Sequence, residues 1–181
     1  MATSSRILAL VALLAAVPAG AKVFLTQEEA LKLAFPGAAI ERKTAFLKEA
    51  EQQEAATLSG GPRPSALAVA YVATKDGRLV GTAYFDTHVV RTQTETLMVV
   101  IDPSGALTRV EVLSFSEPEE YLPREHWYGQ FPGRALDDEL SLKRGIRPVS
   151  GATLTARATT EAARRVLALH RVLDQRAKKA A

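Results

Sequence analysis

Between residues 66 and 115 the chain alternates short apolar runs with compact turn signals. Residues 66–73 form a small-residue apolar run containing Tyr71, closed by the turn Lys75-Asp76-Gly77. Residues 79–85 read as a second strand, and residues 86–94 as a polar connection. Residues 96–101 are almost continuously apolar, which predicts a strand covered on both faces. Asp102-Pro103-Ser104-Gly105 is a second turn. Residues 108–115 then alternate, with Val110, Val112 and Ser114 on one face and Arg109, Glu111 and Leu113 on the other. Short turns between neighbouring strands require antiparallel pairing, so this region predicts a meander of three or four strands.

Helical signals flank it. Thr26-Gln27-Glu28-Glu29 has capping-box spacing and opens a short helix that Pro36-Gly37 ends. Residues 40–47 are compatible with a strand, residues 48–58 favour helix, and Ser59-Gly60-Gly61-Pro62-Arg63-Pro64 is a loop. Residues 117–144 carry several prolines, the single Trp127 and little periodicity. From about residue 155 to 175 a helix presents Ala162, Val166, Leu169 and Leu173 as an apolar stripe. Arg157, Arg164 and Arg171 recur every seven residues on another face, either as a solvated stripe or as a docking surface for an acidic redox partner. Residues 177–181 read as a frayed tail. The expected class is α+β: an antiparallel β-meander packed with helices, with a long C-terminal helix following a Ser-Gly-Ala-Thr turn.

Composition narrows the chemistry. The 181 residues suggest one domain with its own core. The chain contains no cysteine, which excludes disulfides, iron–sulfur clusters, cysteine-ligated zinc and c-type haem. The formal charge of +3, with no clustering of basic and aromatic residues, gives no basis for a nucleic-acid partner. Arg6, the apolar residues 7–17, Pro18 and Ala19-Gly20-Ala21 match a secretory signal in order and length. The expectation is export to the periplasm or another extracytoplasmic space after cleavage near Ala21, leaving a chain that begins at Lys22; an uncleaved N-terminal membrane anchor is the alternative. The expected organisation is a signal at 1–21, an N-terminal helical segment at 22–64, a main domain at 65–176 and a tail at 177–181.

The chemistry-bearing motif is Ser150-Gly151-Ala152-Thr153 at the start of the last helix. A helix start exposes backbone N–H groups and the positive end of the helix dipole, and small residues let a phosphate approach the backbone. The same residues also suit an ordinary N-cap. With Gln130-Phe131-Pro132-Gly133, the strand from Glu95 to Asp102 and Ser114-Phe115-Ser116-Glu117-Pro118, the motif resembles the FMN-binding domain family. The resemblance spans roughly residues 65 to 170 and extends to the covalent-flavin subunits of the Rnf and sodium-translocating NADH:quinone reductase complexes. It implies FMN held covalently on Thr153 through a phosphoester, put there by a flavin transferase of the ApbE type that uses FAD and Mg²⁺. It also implies extracytoplasmic electron transfer with an unidentified, membrane-bound redox partner, as a carrier or oxidoreductase subunit rather than a self-contained enzyme. The alternative is a non-redox flavin-binding or scaffold domain whose FMN is non-covalent or lost. One departure stands out: Arg147 occupies the position, three before Ser150, where the family usually has Asp.

Ser150, Gly151, Ala152 and Thr155 are the candidates for holding the phosphate, Thr155 as ligand or as helix cap. By the resemblance Glu117, and less directly Ser116, approach the flavin, and Leu97 and Met98 lie near its pocket. Trp127 and Tyr128 read either as ring-stacking partners or as core aromatics. His88 falls between strands with no second metal ligand at a suitable spacing, His126 lies in the irregular segment, and His170 is expected to be exposed. Neither a metal site nor a catalytic residue is expected, and a Gly-x-Ser-x-Gly elbow is absent.

Overall fold

A computed structural model describes residues 22–180; the secretory signal expected at residues 1–21 lies outside the described residues. The elements are β1 (Lys22–Val23), α1 (Gln27–Ala34), β2 (Ala39–Phe46), α2 (Glu49–Ser59), β3 (Leu67–Lys75), β4 (Arg78–Val89), β5 (Thr94–Ile101), β6 (Leu107–Phe115), a 3₁₀ turn (Glu119–Tyr121), α3 (Glu125–Tyr128) and α4 (Thr153–Ala180). The strands form one six-stranded antiparallel sheet in the order β1-β6-β5-β4-β3-β2. The α+β class is therefore observed, with a wider sheet than the three or four strands expected. The compatible segment at 40–47 is β2, so residues 22–64 contribute both edge strands, β1 and β2, as well as helices.

α4 packs on one face of the sheet, with α2 packed against α4, and α1 packs on the other face. Leu97, Val99 and Ile101 of β5 join Val110, Ala162, Ala163 and Val166 beneath α4, whereas Met98 and Val100 join Ala30, Leu31 and Phe35 beneath α1. This two-sided cover explains why β5 reads as a continuous apolar run. The capping box at Thr26 forms, with Thr26 Oγ1 accepting from Glu29 N and Thr26 N donating to the Glu29 carboxyl. Gly81 lets α1 sit close: a Cβ there would stand 2.9 Å from both Ile101 O and the Phe35 ring.

Two element boundaries differ from the sequence reading. The polar stretch 86–94 is mostly strand, because Asp86, Thr87, His88 and Val89 pair with Leu97, Thr96, Glu95 and Thr94. Polar residues do not end a strand when their cross-strand neighbours satisfy them. At the C-terminus α4 continues to Ala180, through residues 177–180 that read as a frayed tail, with Lys178 bridging Asp174 at 2.7 Å one turn back. The stripe is seen, with Ala162 and Val166 buried and Leu169 and Leu173 half-buried against the core. No helix among the described residues is long and apolar enough to cross a membrane.

Candidate functional site

The site is built by the irregular segment between β6 and α4. Phe131, Leu140 and Ile146 are fully buried and plug this segment onto the sheet. Trp127 then fixes the approach to the motif. Its indole Nε1 donates to Arg147 O at 2.7 Å, while Arg147 N donates to Gln130 Oε1 at 2.9 Å. Both peptide groups of Arg147 are thus held and its side chain is left exposed. Of the two sequence readings of Trp127, the core one holds; Tyr128 packs edge-on against it, half-buried.

From that anchor the chain turns tightly. Ala152 N donates to Val149 O, and Gly151 takes φ +82°, where any side chain would be strained. Ala152 is the cap residue of α4, since its carbonyl accepts from Ala156 N at 2.9 Å. Its methyl group cannot cap the helix. Serine, threonine, aspartate and asparagine are the usual cap residues because their side-chain oxygen accepts from the first-turn N–H groups. Here no protein oxygen among the described residues accepts from the N–H groups of Thr153, Leu154 or Thr155. The ordinary N-cap reading of the tetrapeptide therefore fails, and first-turn donors without a protein acceptor lie beside the exposed Thr153. Thr153 Oγ1 donates to Val149 O at 2.8 Å, which leaves its lone pairs open.

The surroundings are cationic. Thr153 lines a pocket of about 280 Å³ with Lys143, Arg157, Arg164 and Glu161. Arg164 is spent on structure, donating to Ser59 O, Asp137 O and Leu140 O. Arg171 likewise donates to Leu136 O, so the predicted basic stripe is largely a set of carbonyl clamps. Behind the 143–149 loop lies a larger cleft of about 1010 Å³, lined by Trp127, Gln130, Arg134 and Arg147 among others, with His126 at its edge.

The other nominated residues separate from this cluster. Thr155 is buried, and its hydroxyl donates to Tyr121 O at 2.5 Å, so it neither faces a phosphate nor caps the helix. That bond does bring the segment after β6 against the start of α4. Glu117 Oε1 accepts from Thr92 N at 2.7 Å, Gln93 N at 2.9 Å and Thr92 Oγ1 at 3.1 Å, which closes the β4–β5 turn. The Thr92 N–H foremost among these donors holds the Glu117 carboxyl below its ordinary range. Ser116 contacts Thr94 in the same turn. Leu97 and Met98 are completely buried, one under α4 and the other under α1, so neither presents a surface to a flavin.

A buried polar array escaped the sequence reading. His88 lies in β4, with Nδ1 2.8 Å from Asp86 Oδ1 and Nε2 3.1 Å from Glu95 Oε2. Arg165 of α4 meets Asp86 at 2.8 Å, and Thr159 Oγ1 donates to Glu95. Burial opposes charge on His88, but the hydrogen bond to Asp86 and the nearby Glu95 carboxylate outweigh it and push its pKa up to about 9. His170 is half-buried against Tyr84 OH rather than exposed, and burial lowers its pKa. Among the described residues no group of three or more His, Asp or Glu side chains could hold a metal ion.

Residues 92–168 match the family described as FMN-binding domain. The chain carries an FMN-binding domain. The match includes β5, β6, the irregular segment and the first half of α4, which are the elements that build the uncapped helix start. No curated protein and no solved structure matches the chain.

Proposed function

We propose that this FMN-binding domain protein is an exported electron-transfer flavoprotein with FMN esterified to Thr153. The carrying observation is the helix start that its own cap residue leaves unsatisfied. Its free N–H groups, the positive helix end and the adjacent Thr153 hydroxyl suit a phosphate ester better than any protein group within reach. Thr153 supplies the ester oxygen, Gly151 the backbone turn that leaves room beside it, and Ala152 a methyl group that does not compete for the donors. Ser150 is exposed at the rim of the same turn. When bound, FMN supplies one- and two-electron chemistry; the chain positions it and sets its surroundings.

The ester requires a separate maturation step. A flavin transferase of the ApbE type, using FAD and Mg²⁺, places FMN on Thr153 and releases AMP. Residues 1–21 direct export, and the electron partner is a membrane-bound redox protein.

The test is intact-protein mass after co-expression with an active transferase, beside a control without it. The expected gain is the mass of FMN less one water, with the label on a peptide containing Thr153. In Thr153→Ala the gain should vanish while the circular dichroism spectrum is retained. A wild-type protein that stays unmodified beside another substrate that is labelled would refute the covalent reading.

A further inference from the structure

The pocket beside Thr153 holds more cationic charge than one ester-linked phosphate needs. A phosphate at the start of α4 can be satisfied by the free first-turn N–H groups. Lys143 and Arg157 then remain. Both are exposed, both line the pocket that contains Thr153, and among the described residues neither meets a carboxylate within ion-pair distance. Arg157 sits one turn after Thr153 on the same helix face. Its neighbour one turn further on, Glu161, also lines the pocket but does not pair with it. Arg164, the third cation, is committed to three carbonyls.

Lys143 carries a second signal. It has φ +67°, a left-handed conformation that glycine or asparagine adopts at lower cost. The loop enforces that conformation, with Lys143 N donating to Ile146 O and Gly145 N to Glu139 O, both at 2.9 Å. A lysine there is strained, and it is kept at a position that lines the Thr153 pocket.

We infer that Lys143 and Arg157 bind the second phosphate of an incoming dinucleotide, so that the acceptor chain itself supplies charge to the leaving group of its own flavinylation. This rests on the reading of Thr153 as the attachment site. In the step, Thr153 Oγ1 forms a bond to the flavin-side phosphorus and the bridging P–O bond breaks. The bridging oxygen leaves with AMP, and the threonine proton passes to solvent or to the departing phosphate. Negative charge grows on that departing phosphate, where a guanidinium and an ammonium group stabilise it. Lys143 and Arg157 are therefore groups that touch the substrate only during maturation.

The experiment measures flavinylation of the apoprotein by purified transferase, with FAD and Mg²⁺, as a function of acceptor concentration. The variants are Lys143→Asn and Arg157→Gln. Each should lower the rate at saturating acceptor about tenfold or more, with the half-saturating acceptor concentration unchanged. Lys143→Asn should keep or raise the melting temperature, because asparagine relieves the left-handed strain, so a slower rate cannot be put down to misfolding. Unchanged rates in both variants would overturn the inference. So would a loss confined to half-saturation, which would make the two cations a docking site for an acidic protein face. An unlabelled wild type would instead remove the reading of Thr153 on which the inference rests.

Discussion

Raising the pH should unlock the His88 array, and the expected size follows from its geometry. His88 is 11% exposed at its side chain and lies between Asp86 and Glu95, the latter completely buried. Its folded pKa of about 9 stands above the ordinary histidine value of 6.5. A group whose pKa is raised on folding contributes its full stability below the unfolded value and loses it as pH rises through the folded value. The window therefore runs from about pH 6.5 to about 9. At roughly 1.4 kcal/mol per pH unit, the loss across it is about 3 kcal/mol. Arg165 and Thr159 from α4 face the same array, and a His88→Gln reference separates the contribution of the histidine from that of its neighbours. Urea unfolding of the apoprotein at several pH values between 6 and 9.5 measures it, with His88→Gln as the reference for every other group that titrates. The wild type should lose about 3 kcal/mol more than His88→Gln over that range. Parallel curves for the two proteins would refute the reasoning, since they would mean that His88 gains no proton affinity on folding.

Ala152→Ser restores a side-chain oxygen at the cap of α4. It should stabilise the apoprotein by about 1 kcal/mol in chemical denaturation and slow flavinylation, because serine would compete for the N–H groups that the proposed phosphate uses; faster labelling would argue against the open-cap reading. Leu97→Ala should cost about 2 to 5 kcal/mol in the same assay, yet keep the covalent flavin in protein that remains folded. Specific loss of flavin from a folded Leu97→Ala protein would restore this residue to the binding site.

The local half of the site was legible in the chain. Ser150-Gly151-Ala152-Thr153 before an amphipathic pattern encodes a tight turn and a helix start, because glycine backbone freedom, small side chains and periodicity act within a few residues of one another. The capping box at Thr26, the two-sided strand at 96–101 and the α+β class were legible for the same reason. The roles of Thr155 and Glu117 were not. Each spends its polar atom on backbone 34 or 24–25 residues away in sequence, at Tyr121 and at Thr92 and Gln93. Only the packing of the post-β6 segment against α4 and the β4–β5 turn decides those partners.

His88 and Glu95 show the limit most clearly. Read along the chain, one is a histidine in a polar connection and the other an acid before an apolar run. The antiparallel register makes them opposite neighbours, and α4 buries them together with Asp86 and Arg165. The sequence by itself determined the main helices and strands, the tight turn before α4 and the hydroxyl at its end, since these depend on short-range backbone preference and periodicity. Tertiary structure alone decided which polar groups were consumed and which were left free. A hydrogen bond depends on distance in space, and here the decisive partners come from strands, loops and helices far apart in the chain.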